Sequence, residues 1–64
     1  MNIRIVTGCP CGADIIELVS EDGRTLLSGF EDNAEGRLLF ARVAECSIDD
    51  IVNAPRVSYE ERAA

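Results

Sequence analysis

Apolar and polar residues alternate where the chain begins: Ile3 and Ile5 flank Arg4 in Asn2-Ile3-Arg4-Ile5-Val6-Thr7, the two-residue period of a half-buried strand. Gly8-Cys9-Pro10-Cys11-Gly12 breaks the pattern with two glycines and a proline, which marks a turn. The run Ile15-Ile16-Glu17-Leu18-Val19 fits strand or helix by period alone, and its continuation decides for strand. Asp22-Gly23 separates it from Arg24-Thr25-Leu26-Leu27-Ser28-Gly29-Phe30, and a two-residue Asp-Gly link favours a type I′ hairpin. In that register Glu21 faces Arg24, Leu18 faces Leu27 and Val19 faces Leu26, each such pair contributing about 0.2–1 kcal/mol.

The period changes after residue 31. Leu39, Val43 and Cys46 recur at helical spacing beside Leu38 and Ala41, and Asp32 with Glu35 has the form of a capping box, so a helix is predicted over residues 33–46. The rival is a third meander strand through Arg37–Glu45, which Gly36 and Phe40-Ala41-Arg42-Val43 would tolerate. Ser47 and Asp50 repeat the capping pattern ahead of Ile48, Ile51 and Val52, and Pro55 ends that short helix. The tail keeps Val57 and Tyr59 as packing residues and then turns polar, so its last residues are expected to fray.

These elements define a single α+β domain over residues 1–64: a small antiparallel sheet, made of an N-terminal strand plus a hairpin turning at Asp22-Gly23, packed with one or two C-terminal helices. A chain of this length has one core and stays marginally stable, burying only about 60% of the surface its unfolded form exposes. It leaves little room for a deep, water-excluding pocket. The N-terminus lacks the basic-then-hydrophobic pattern of a signal peptide, and three cysteines cannot form a fully paired disulfide framework. A reducing cytoplasm is the expected compartment, with no membrane partner.

Charge narrows the function. Twelve carboxylates against six arginines, with no lysine or histidine, leave a net charge of −6. Direct binding to nucleic acid is therefore not expected, because affinity for phosphate backbones comes from clustered cations. Without histidine there is no serine triad for Ser20, Ser28, Ser47 or Ser58. Glu21-Asp22, Glu31-Asp32, Asp49-Asp50 and Glu60-Glu61 fall at turns, caps or the tail, where water solvates both members and keeps their proton affinities alike, unsuited to acid–base work. No phosphate or calcium loop is present in the sequence, and no enzymatic activity or cofactor is expected.

Cys9-Pro10-Cys11-Gly12 resembles the Cys-Pro-x-Cys-Gly knuckle of rubredoxins and zinc ribbons, one residue short. Only Cys46 remains to join these two, short of the four ligands a structural zinc site wants. A bridge between positions 9 and 11 closes a small, strained ring. Cys9 and Cys11 are expected to shape a turn, and Cys46 to be a small buried apolar residue.

A short, acidic, lysine-free chain without a catalytic motif resembles, in size and charge, the anti-CRISPR proteins of bacteriophages and mobile elements. The resemblance implies a stoichiometric blocker in the host cytoplasm that imitates DNA and occupies a basic, DNA-binding or PAM-reading surface of a CRISPR effector. Glu31, Asp32 and Glu35 would be one contact cluster and Asp49 and Asp50 another, with Glu21, Asp22, Glu60 and Glu61 peripheral. The alternative is an accessory interaction module that docks through an apolar helix face. Mimicry of a duplex, which carries one charge per ~1.7 Å, would need the carboxylates gathered on one face.

Overall fold

A computed structural model describes residues 2–63. The first strand, β1 (Asn2–Thr7), pairs antiparallel with β2 (Ile15–Val19), placing Ile3 against Leu18, Arg4 against Glu17, Ile5 against Ile16 and Val6 against Ile15. Alternation therefore sends Ile3, Ile5, Ile16 and Leu18 to one face, and Arg4, Val6, Ile15, Glu17 and Val19 to the other. The third strand, β3 (Thr25–Glu31), continues the antiparallel sheet with Leu27 opposite Leu18 and Phe30 opposite Ile16.

The hairpin forms as expected, but its turn is longer. Ser20 N–H bonds the Arg24 carbonyl at 2.8 Å and Gly23 N–H bonds the Ser20 carbonyl at 3.0 Å, so three residues, Glu21, Asp22 and Gly23, make the loop. The Asp22 carboxylate accepts from the Ser20 hydroxyl and from Arg24 N–H, which favours this turn over the two-residue form. Consequently Val19 faces Thr25 rather than Leu26, and Glu21 does not face Arg24. A second irregularity sets Ser28 and Gly29 opposite Glu17 alone; Gly29 takes φ 93°, a left-handed value that a side chain would oppose.

Helix α1 (Ala34–Ala44) replaces the rival meander strand, and it starts one residue later than the Asp32 cap would place it. Asp32 N–H still bonds the Asp14 carbonyl at 2.8 Å, holding that residue at the end of the sheet. Asn33 caps instead, its Oδ1 accepting from Gly36 N–H at 2.7 Å. Gly36 passes so close to the Glu31 backbone that a Cβ would overlap the Glu31 carbonyl oxygen. Helix α2 (Ile48–Val52) carries the predicted capping box: Ser47 Oγ accepts from Asp50 N–H and Asp50 Oδ2 accepts from Ser47 N–H, both at 3.2 Å.

The tail forms regular structure as far as Ala63; fraying was expected of its last residues, of which Ala64 lies outside the described ones. Strand β4 (Arg56–Ser58) adds to β1 in parallel, giving a mixed sheet in the order β3-β2-β1-β4, and helix α3 (Tyr59–Ala63) follows at once. Two features hold it: Ile5 N–H bonds the Pro55 carbonyl at 3.0 Å, and Ser58 Oγ accepts from Glu61 N–H at 3.1 Å.

The core lies between the sheet and α1 with α2. Ile5, Ile16, Phe40 and Ile51 are fully buried there, and Phe30 meets Phe40 edge-on at 5.5 Å. Each such side chain contributes about 1.5–3 kcal/mol on burial. Cys46 packs against this cluster, half-buried, and burial with the nearby Asp50 carboxylate pushes its thiol pKa up.

Candidate functional site

The far face of the sheet carries a polar cluster centred on Glu17, which is 2% exposed. Its Oε1 accepts from Arg4 Nε at 2.9 Å; its Oε2 accepts from Ser28 Oγ at 2.7 Å and from an Arg62 guanidinium nitrogen at 3.0 Å. Each contact follows from local structure. Pairing of β1 with β2 sets Arg4 directly opposite Glu17, the bulge at Gly29 presents Ser28, and α3 swings Arg62 back over the sheet. Arg62 also lies over the Tyr59 ring, 5.3 Å from its centre.

Asp32 is the second inward carboxylate, its side chain 5% exposed. Arg37 Nε reaches it at 2.6 Å, and an Arg56 guanidinium nitrogen stands 3.8 Å away. The Asp32 contact pushes the Arg37 pKa up. Four of the six arginines are thus drawn to two carboxylates. Of the others, Arg24 stands 4.0 Å from Asp22 in an exposed pair, and Arg42 is exposed in the last turn of α1. The remaining carboxylates meet solvent with little compensation.

The register sorts the predicted contact residues by place. Glu21 and Asp22 stand beyond Val19, at the end of the sheet where the α1–α2 junction also lies; an open groove there is lined by Asn2, Leu18, Cys46 and Asp50 among others. Asp49 and Asp50 are exposed in the first turn of α2, and exposed Glu45 caps α1 nearby. Glu31 and Glu35 are exposed at the opposite end, around the start of α1, while Asp32 beside them is enclosed by its arginines. Glu60 and Glu61 ride on α3, across the sheet from α1 and α2. The nine residues therefore occupy two ends and both sides of the molecule, and the largest set at one end is Glu21, Asp22, Asp49 and Asp50, joined by Glu45.

Sequence reasoning overlooked the Glu17 cluster. Its signal was one charged residue inside the apolar run Ile15–Val19, with Arg4 in the same phase of the neighbouring strand. Exposed apolar side chains form another feature: Leu39 and Val43, one turn apart on α1, and Leu26 on the edge strand β3. Among the described residues no group of three or more Cys, Asp or Glu side chains converges as a metal site would require, and no helix is long and apolar enough to cross a membrane.

Comparison with known proteins found no matching family model, no similar curated protein and no matching solved structure.

Proposed function

We propose that the protein acts without catalysis, by binding a basic, nucleic-acid-recognising surface of another macromolecule through the carboxylates of its hairpin end: Glu21, Asp22, Glu45, Asp49 and Asp50. One observation carries this reading. Glu17 and Asp32 hold four arginines between them, which leaves ten carboxylates against Arg24 and Arg42; both arginines stand at the hairpin end, Arg24 beside Asp22 and Arg42 in the last turn of α1, and the five carboxylates there outnumber them. Such a surface attracts clustered lysines and arginines, raises association rates and competes with phosphates for the same groups. The specific target proposed is the DNA-binding or PAM-reading surface of a CRISPR effector, which the protein would block one-to-one.

The test is a mobility-shift assay of target DNA with a panel of CRISPR effector–guide complexes, titrated with this protein at low and high salt. Stoichiometric loss of DNA binding that weakens with salt is expected from at least one complex. The pair Glu21→Lys with Asp49→Lys, which spares the Ser47–Asp50 cap and the Asp22 turn bonds, should weaken inhibition about tenfold or more. Undiminished inhibition by that folded variant would remove the charge mechanism. A second reading rests on Leu26, Leu39 and Val43, each about half exposed at 45–58%: an accessory module docking through its apolar side. Its binding would be nearly independent of salt and would be lost in Leu39→Ser with Val43→Ser.

A further inference from the structure

The loop joining β1 to β2 is folded tightly. Gly12 N–H bonds the Cys9 carbonyl at 2.9 Å, and the turn this closes brings the Cys9 and Cys11 sulfurs to 2.8 Å. The two sulfurs are thus in direct contact within one turn of the loop. Both cysteines line a cavity of about 240 Å³ whose wall includes Val6, Ile15, Tyr59 and Arg62. Cys11 is exposed at its rim and Cys9 is half-buried behind it.

The two thiols are chemically unequal. The two sulfurs share a hydrogen bond that pushes the Cys11 pKa down and that of Cys9 up, and the Cys11 sulfur also stands 3.6 Å from the Ala13 carbonyl oxygen. Cys46, by contrast, is held protonated by burial and by Asp50. The small ring that a Cys9–Cys11 bridge closes weighs against a standing structural disulfide, so the bridge forms only where the substrate disulfide is in excess.

We propose that Cys9 and Cys11 form a thiol–disulfide exchange site that reduces a small-molecule disulfide, with Cys11 attacking and Cys9 resolving. The Cys11 thiolate attacks one sulfur of the disulfide; that S–S bond breaks, one substrate thiolate leaves, and Cys11 holds the other half as a mixed disulfide. Cys9 gives its proton to the departing thiolate and attacks the Cys11 sulfur, expelling the second thiolate. The two cysteines lose two electrons and become the bridge, and the substrate disulfide gains them to become two thiols. A small-molecule thiol in excess reverses both steps.

The experiment exposes the fully reduced protein to excess oxidised glutathione at neutral pH, quenches with an alkylating agent and reads intact and peptide masses. The wild-type protein is expected to lose two hydrogens, to show a Cys9–Cys11 bridge with no retained glutathione, and to keep Cys46 free for alkylation. Cys9→Ser should accumulate one glutathione on Cys11, and Cys11 should react roughly tenfold or more faster than Cys46. Cys11→Ser should acquire its adduct correspondingly slowly. Retention of glutathione by the wild-type protein without a bridge, or reaction at Cys11 no faster than at Cys46, would overturn the proposal.

Discussion

On the face of the sheet covered by α1 and α2, Ile5, Ile16, Phe40 and Ile51 exclude water with apolar surface alone, whereas on the other face Val6 and Val19 flank a carboxylate held by two arginines and a hydroxyl. The first arrangement supplies the drive to fold, because apolar burial is non-directional and large. The second supplies direction. Helix α3 has five residues, too few to persist alone, and its place is set by Arg62 on Glu17 and by the Ser58 cap. A polar cluster adds less net stability than a hydrophobic one of the same volume, yet it tolerates few alternative positions for the tail.

Breaking the apolar side should have the largest effect. Gly36→Ala forces its Cβ into the Glu31 carbonyl, so α1 must shift off the sheet at the point where Phe40 enters the core. A loss of about 4 kcal/mol or more is expected, close to the whole stability of a domain this size. Circular dichroism and thermal melting would read it as an unfolded or barely folded chain; a melting temperature near that of the wild type would show that the helix packs less closely than described. On the polar side, Glu17→Gln leaves Arg4 and Arg62 facing one another without a countercharge. Both arginines retain solvent contact, so the expected loss is about 2–3 kcal/mol, smaller than for Gly36→Ala. Adding Arg4→Met to Glu17→Gln should recover part of it in denaturant titration; no recovery would mean that Arg4 serves mainly through its bond to Thr25.

Arg62→Met sharpens the comparison further, because it loosens the tail without touching the apolar core. Amide exchange at Val57 and Ser58 is expected to accelerate about fivefold to tenfold, an opening cost lowered by roughly 1 kcal/mol, while Ile5 and Ile16 keep their protection. Equal acceleration at all four would mean that the two faces open as one unit.

The apolar side was the more legible of the two in the sequence. Alternation gave β1, and turn and cap residues had to settle the β2–β3 hairpin and α1, whose buried face is Gly36, Phe40, Ala41 and Ala44 while the periodic Leu39 and Val43 stay exposed. Ser47 and Asp50 marked α2 because a cap is a local interaction between residues three apart. The polar side depends on partners 13 and 45 residues away from Glu17, and such pairs leave no period to read. Strand β4 was hidden for a similar reason: three residues pair with β1 only after the whole chain has returned to it. One local sign went unused, Ser58 with Glu61 three residues on, the pattern that marked Ser47 and Asp50. The candidate contact residues were legible as charges and not as places, because nothing local tells a solvated carboxylate such as Glu31 from an enclosed one such as Asp32.

The hairpin loop belongs to neither face, which makes it the control for both. The Ser20 hydroxyl, and after it the Arg24 N–H, hold the Asp22 carboxyl below the usual carboxylate range. A pKa depressed by folding contributes stability that is full above the unfolded value, about 3.9, and is lost as pH falls through the folded one. Asp22→Asn keeps an acceptor and removes the charge, so the wild-type protein should be slightly the more stable between pH 5 and 7, the smallest effect predicted here. The two should converge as the medium is acidified below pH 3. Because the loop lies away from Glu17, the same small difference is expected in a Glu17→Gln background, whose two denaturation curves should be displaced in parallel. A difference that persists unchanged in acid would trace the effect to the shape of the turn rather than its charge, and one that vanishes in the Glu17→Gln background would place the hairpin within the polar face after all.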